Sequence, residues 1–275
     1  MAASADPSVL DRLVWCGRAA RLVLEDPVEC LDRALLRLAR RHRAQPLAAL
    51  EPADAWEARL HALVAAAWPC PECAGFDELY AETIAQLGAQ GLPVGRGAFG
   101  GWDDADPAFA RAVWCLAVHL RPTKVVETGV ARGVTTRIVL EALQQAGSGH
   151  LWSIDRPPLD RRLHAQIGTA VPEHLRSRWS LLRGTSRRVL PGLLADVGPI
   201  DLFVHDSLHT DRNLHFELTR SWGAMGGHGA LVADDVNQNS AFHSFVQSRP
   251  ALDAILAPAD DGRSVFGIAV AASAA

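Results

Sequence analysis

The sequence contains one lysine, Lys124, and one tyrosine among 275 residues. A chemistry built on a lysine base could draw only on Lys124, which opens a strand, away from the strand ends where a site would form. No apolar run reaches the roughly 20 residues that spanning a bilayer requires, and Met1 to Val9 carries an acid and no basic start. The expectation is therefore a cytoplasmic chain with no membrane partner. Excess positive charge is also missing. The formal net charge is -4 and the pI near 6.2, so no global positive field is available for nucleic acid, and a small molecule is the expected partner.

Cysteine is too sparse for a secreted disulfide framework. The five residues are odd in number and scattered as Cys16, Cys30, Cys70, Cys73 and Cys115, which fits free thiols in a reducing compartment. Cys70-Pro-Glu-Cys73 has the spacing of half a zinc site. A structural zinc needs four ligands, however, and no second pair at matching spacing follows, so the expectation is a turn between helices.

What is present is ordinary globular material, 49% hydrophobic and 21% charged, long enough for one large α/β domain plus a further module. Up to about residue 95 the apolar residues recur at helical spacing. Helices are expected from Val9 to Leu24, from Pro27 through Leu38, from Ala55 to Trp68 and from Phe76 to Gln90. Arg33, Arg37, Arg40, Arg41 and Arg43 read as a solvated helix face. Gly91 to Asp106 is too glycine-rich for regular structure and reads as a linker, with a lid as the second reading because Phe99 and Trp102 lie in it.

From Pro107 a helix over Ala108 to Leu120 gives way to short β-rich runs alternating with helices, the pattern of a parallel sheet. The strands are expected at Lys124–Glu127, Leu151–Asp155, Trp179–Leu182, Ile200–His205, Ala230–Asp234 and Val265–Val270. The intervening helices should begin near Val134, Leu163, Arg188, Asp211 and Asn239.

Glu127-Thr128-Gly129-Val130-Ala131-Arg132-Gly133-Val134-Thr135 joins a buried strand to a helix through two glycines. Gly129 and Gly133 remove side chains that would block a close approach, and the free N–H groups at the helix start favour a carboxylate. Glu127 supplies an anion for an amine. The third glycine of the dinucleotide fingerprint is missing, which excludes a dehydrogenase of that type. The pattern instead resembles E-x-G-x-x-x-G, the first motif of class I S-adenosylmethionine-dependent methyltransferases.

Further residues extend that resemblance from about Lys124 to the C-terminus. Asp155 ends the second strand, where a carboxylate can take both hydroxyls of a ribose, and Arg156 follows it. Thr185 and Ser186 follow the third strand, placed to meet an adenine edge. With Thr128, Ala131 and Thr135 of the first turn, these residues make up the expected cofactor contacts. The fourth strand runs into His205-Asp206-Ser207-Leu208-His209 and the fifth into Asp234-Asp235, at the edge where doubly wound sheets bind ligands. Three close anions call for a cation, with Mg²⁺ favoured.

These two acidic segments resemble the macrocin O-methyltransferase-like group of natural-product enzymes, and more distantly the catechol O-methyltransferases. The resemblance implies that Asp206, Asp234 and Asp235 hold Mg²⁺ and that Asp206 also faces the cofactor. The lysine base of the catechol enzymes is replaced here by His209, whose imidazole can accept a proton near neutral pH. His205 reads as structural beneath a covering helix, and His215 as packed or solvated.

The expected fold is α/β, a Rossmann-like doubly wound, mostly parallel seven-stranded sheet with an N-terminal helical subdomain. Residues 1–95 would form the helical part, 96–106 the linker or lid and 107–275 the S-adenosylmethionine-binding domain. The implied activity is O-methyl transfer to a hydroxyl of a small molecule or natural product, a sugar or catechol-like diol with a sugar preferred, in a homo-oligomer. Substrate walls would come from the N-terminal helices, Gly91 to Asp106 and Pro157 to Arg178. The alternative is a noncatalytic binding or assembly protein on the same fold. It would be marked by loss of Glu127, Asp155 or the acidic trio, and all are present. The cephalosporin hydroxylase-like relatives share a similar core.

Overall fold

The computed structural model describes residues 23–24, 26–39, 53, 55–226 and 228–271. Of the helix expected from Val9, only Val23 and Leu24 fall within these residues, and both are helical. Arg40, Arg41 and Arg43 lie outside them, as do the side chains of Arg33 and Arg37. No helix among the described residues is long and apolar enough to cross a membrane.

The N-terminal part supplies α1 (Pro27–Ala39), α2 (Trp56–Leu63), a 3-10 turn over Pro71–Gly75 and α3 (Phe76–Ala89). Asp26 caps α1 by accepting the Glu29 N–H at 2.9 Å, and proline at the first helical position fixes φ where no N–H is needed. The same device starts α4 (Pro107–Leu120), where the Asp106 side chain accepts the N–H groups of Ala108 and Phe109. Nine residues of α4 are buried, because this helix packs its long apolar face on the sheet.

The sheet begins with β1 (Lys124–Thr128) and continues through α5 (Val134–Ala146), β2 (His150–Asp155), β3 (Trp179–Arg183), α6 (Ser186–Val197), β4 (Leu202–His205), α7 (Asp211–Ala224), β5 (Ala230–Ala233), α8 (Ala241–Gln247), β6 (Leu252–Pro258) and β7 (Val265–Ala271). Its order is β3-β2-β1-β4-β5-β7-β6, with β7 antiparallel to β5 and to β6 and the other pairs parallel. Alternation along β1 splits the core. Val125 joins α4 and α5 on one face, while Val126 joins α6, α7 and α8 on the other.

Two expectations need correction. The six expected strands omit β6, a strand at the sheet's edge that among the described residues pairs with β7 alone of the strands and whose exposed Asp253 interrupts its apolar pattern. The helix expected near Leu163 is instead two 3-10 turns, Arg161–Gln166 and Glu173–Arg178, because Pro157, Pro158, Gly168 and Pro172 punctuate the segment. This segment braces the glycine turn. Gly168 N–H donates to the Ala131 carbonyl at 3.0 Å and Ala170 N–H to that of Arg132 at 2.9 Å.

Candidate active site

Parallel register places the ends of β1, β2, β4 and β5 at one edge. Thr128 pairs with Ile154 and His205, and His205 pairs with Ala233. Asp155, Asp206 and Asp234 therefore leave the sheet side by side. Their proximity is also electrostatic, since Asp206 and Asp155 both raise the pKa of Glu127.

Glu127 is fully buried under α5. Its Oε2 accepts the hydroxyls of Thr136 at 2.8 Å and Ser153 at 2.6 Å, while Oε1 has no hydrogen-bond partner. Burial pushes this carboxyl up to about 8 despite the two hydroxyl donors. Thr128 points to the other face and donates to Glu217 at 2.5 Å.

The glycines of the turn have a structural task that the sequence pattern does not reveal. A Cβ on Gly129, at φ +87°, would lie 1.9 Å from the Asp206 carbonyl oxygen. One on Gly133, at φ +83°, would lie 3.1 Å from Gly168 Cα and 3.2 Å from a Val171 methyl. The close approach at both positions is made by the chain itself. Ala131 joins them in the left-handed region at φ +46°.

A small pocket opens beside this turn, walled by Gly129, Val130, Thr135 and Asp206 and by Asp103, Asp104 and Ala105. The hydroxyl of Thr135 is buried with no partner. Arg132 holds the glycine-rich segment in place. Its guanidinium, 1% exposed, donates to the carbonyls of Pro93 and Ala98 and to Gln166 Oε1, and lies 3.5 Å from the Asp104 carboxylate. Residues 93–105 thus form a fastened wall of the pocket, which the glycine content alone does not disclose.

Thr185 and Ser186 sit beneath α1 and are buried. Thr185 donates to the buried Asp26 at 2.6 Å and Ser186 to Asn213 Oδ1 at 3.3 Å. Asp32, one turn and a half further along α1, lies near Arg187 at 3.6 Å and Arg212 at 3.5 Å. The acids of α1, which the sequence reading did not single out, therefore cover the turn after β3. Arg156 follows β2 at the same edge, half-buried.

His205 faces α7, with Nδ1 2.6 Å from Glu217. The Glu217 carboxylate also takes hydrogen bonds from Ser207 and the Asn213 amide, both at 2.8 Å. Burial alone would push this carboxyl up, but the His205 ring and the surrounding donors outweigh it and hold the group at about 2. Its contribution to stability is thus whole above its ordinary 4.5 and lost as pH falls towards 2. Glu217→Ala should cost about 3–5 kcal/mol, because it strands a buried imidazole and three donors. Urea unfolding at pH 7 measures this, and an unchanged midpoint would contradict the role.

Asp206, His209 and Asp234 each present a donor atom within 4.8 Å of the others. Asp235, expected as the third carboxylate, instead reaches His209, with its Oδ2 2.8 Å from Nδ1 and its own backbone at φ +54°. The second imidazole nitrogen, Nε2, lies 3.6 Å from Asp206. Burial disfavours the charged ring, yet the contacts with Asp206 and Asp235 prevail and raise its pKa well above 6.5. Burial and the two neighbouring acids likewise raise Asp234, whose Oδ1 is buried without a partner. His215 stands on α7 with no role in this cluster among the described residues.

Residues 126–236, from the middle of β1 to just beyond β5, match the profile of the methyltransferase domain family. This part of the chain, less than half of it, is similar to methyltransferase domains. The chain's fold is shared with the O-methyltransferase TomG from Streptomyces achromogenes, solved in complex with SAM, at 15% identity and a TM-score of 0.54 over 71% of this chain and 90% of that one. An O-methyltransferase from Bacillus cereus, solved with SAH, gives 15% identity and a TM-score of 0.52 over 70% and 90%. No curated protein matches the sequence significantly.

Proposed function

We propose that the chain is an S-adenosylmethionine-dependent O-methyltransferase for a hydroxyl of a small molecule, assisted by a divalent cation. The observation that carries this reading is the meeting of Asp206, His209 and Asp234 at the edge that also holds the Gly129 turn and Asp155. TomG and the Bacillus cereus enzyme, which share the fold, transfer methyl groups to oxygen.

In this reading Asp155 takes the ribose hydroxyls. The amino acid end of the cofactor enters the pocket beside Gly129, where the free Thr135 hydroxyl meets its carboxylate and Asp206 its amine. Glu127 acts behind this pocket, through the buried network with Thr136 and Ser153. Thr185 and Ser186 shape the adenine end from under α1, with Thr128, Ala131 and Gly133 holding the turn's form and Arg156 bordering the ribose.

Asp206 and Asp234 fit a hard cation. They bring oxygen donors together, one of them buried and unpartnered, and the crowding of their charges is relieved by a positive ion. Mg²⁺ held there would lower the pKa of a coordinated hydroxyl. His209, with Nδ1 2.8 Å from Asp235, presents Nε2 to take the substrate proton, the arrangement of a base beside an orienting carboxylate. The narrower placement in the macrocin-like group, with a sugar diol as acceptor, rests on the HDSLH and DD segments.

The experiment is methyl transfer from S-adenosylmethionine to a panel of sugar and catechol diols, with Mg²⁺ and with a chelator. Oxygen-methylated product that forms with Mg²⁺ and falls by about a hundredfold or more with chelator is expected. Full activity in chelator would contradict the metal, and product methylated only on nitrogen would contradict the oxygen acceptor.

A further inference from the structure

We propose that His61, Cys70, Cys73 and His119 form a structural zinc site that fastens the N-terminal helices to the methyltransferase domain. The four donor atoms lie within 4.8 Å of one another, three of the residues are buried and the fourth is half-buried. Sequence spacing alone argues for a plain turn, because the second pair of ligands is a pair of isolated histidines. His61 lies on α2 and His119 in the last turn of α4, and folding brings both to the Cys70–Cys73 turn.

The four donor atoms are gathered on the scale of a tetrahedral zinc shell, one quoted edge at its length and the other a few tenths of an ångström shorter. Zn–S bonds near 2.3 Å and Zn–N bonds near 2.0–2.1 Å imply donor-to-donor edges of about 3.3–3.8 Å. Cys73 Sγ lies 3.5 Å from His61 Nε2, and Cys70 Sγ 3.0 Å from His119 Nε2. His61 also has the support that zinc-bound imidazoles typically have. Its Nδ1 lies 2.7 Å from the Glu57 carbonyl, which keeps the proton on Nδ1 and turns the lone pair of Nε2 towards the sulfur atoms.

Two thiols and two imidazoles crowd one another here, and three of the four residues are buried. A dication suits this crowding, because zinc binds the thiolate and favours its formation. Cys115, with its sulfur 2.7 Å from that of Cys73, is the outer neighbour that can donate its S–H to the bound thiolate.

Four protein ligands leave no open position, which assigns the ion a structural role. Two thiolates and two imidazoles suit zinc, whereas the oxygen-rich cluster around Asp206 suits a harder cation. The two sites lie at opposite ends of the sheet. Asp206 follows the carboxyl end of β4, whereas His119 shortly precedes the amino end of β1.

Metal content of the full-length protein tests the proposal. After growth with zinc and dialysis against a mild chelator, the wild-type chain should retain about one zinc, and its cobalt-substituted form should show intense tetrahedral ligand-field bands with sulfur-to-cobalt charge transfer. Cys70→Ser and His119→Ala should each lose about tenfold or more of the zinc affinity, His119→Cys should restore it, and Asp234→Asn should keep it. Wild-type protein holding less than about a tenth of a zinc per chain, with no such cobalt bands, overturns the site. So does a Cys73–Cys115 disulfide in place of metal, or loss of the zinc in Asp234→Asn. Because the wild-type measurement decides first, a variant that fails to fold does not shelter the proposal.

Discussion

Replacing His209 with alanine should lower turnover by about 10²–10⁴ while S-adenosylmethionine binding changes by no more than about threefold. The split follows from where the ring sits. It touches Asp206 and Asp235 and is not part of the wall of the pocket beside Gly129. The pH profile carries a second signature. A base works only after losing its proton, and the acids around His209 hold that proton to a pH well above 6.5 until positive charge enters the cluster. The wild-type rate should therefore rise with pH along a limb that added Mg²⁺ moves to lower pH, and the alanine variant should lack the limb. Equal turnover in the variant would remove His209 from the reaction. A parallel loss of cofactor binding would make it a structural residue.

The second large effect is expected at Gly129. Alanine there meets two penalties at once, a left-handed backbone at φ +87° and a Cβ 1.9 Å from the Asp206 carbonyl oxygen and 2.5 Å from its carbon. Both atoms are backbone, so no side chain can swing away. Gly147→Ala provides the internal comparison, with φ +70° and nothing within 4 Å. The conformational penalty alone should cost about 1 kcal/mol there. At Gly129 the clash should raise the loss to roughly 3–5 kcal/mol and displace Asp206, abolishing cofactor binding in whatever protein still folds. Thermal unfolding of the two variants side by side reads the difference. Similar melting points would show that the β1 turn and the β4 turn are not pressed together.

Much of the site was legible because it depends on chain order. Strands that end in Glu127-Thr128-Gly129, Asp155, Asp206 and Asp234 can only place those residues at one edge once the sheet is parallel, and an apolar run followed by a small or acidic residue marks each end. What the sequence left hidden depends on folding back. Arg132 occupies an unspecified position of the glycine motif, and only the three-dimensional structure shows it holding residues 93–104. Gly129 was read as clearing space for a ligand, whereas the nearest atom belongs to Asp206. Asp235 looked equivalent to Asp234, but a left-handed backbone turns it to His209.

Other features escaped for related reasons. β6 lies at the edge of the sheet among the described residues and carries an exposed aspartate, so its pattern is weaker than that of a strand buried on both faces. The partners of Cys70 and Cys73 are single histidines on two separate helices, and no spacing rule reaches them. Asp26 and Asp32 carry no signal in the sequence, because their burial against Thr185, Arg187 and Arg212 is a tertiary fact.

The central claim is that the turn at Gly129, the carboxylate of Asp155 and the acids after β4 and β5 enclose one nucleoside-binding crevice. Calorimetric titration of the full chain with S-adenosylhomocysteine tests it most directly, alongside Asp155→Asn. The account predicts saturable binding of about one equivalent with Kd in the micromolar range, weakened about tenfold or more in the variant. No heat of binding up to about millimolar nucleoside, or an affinity unmoved by Asp155→Asn, would contradict it.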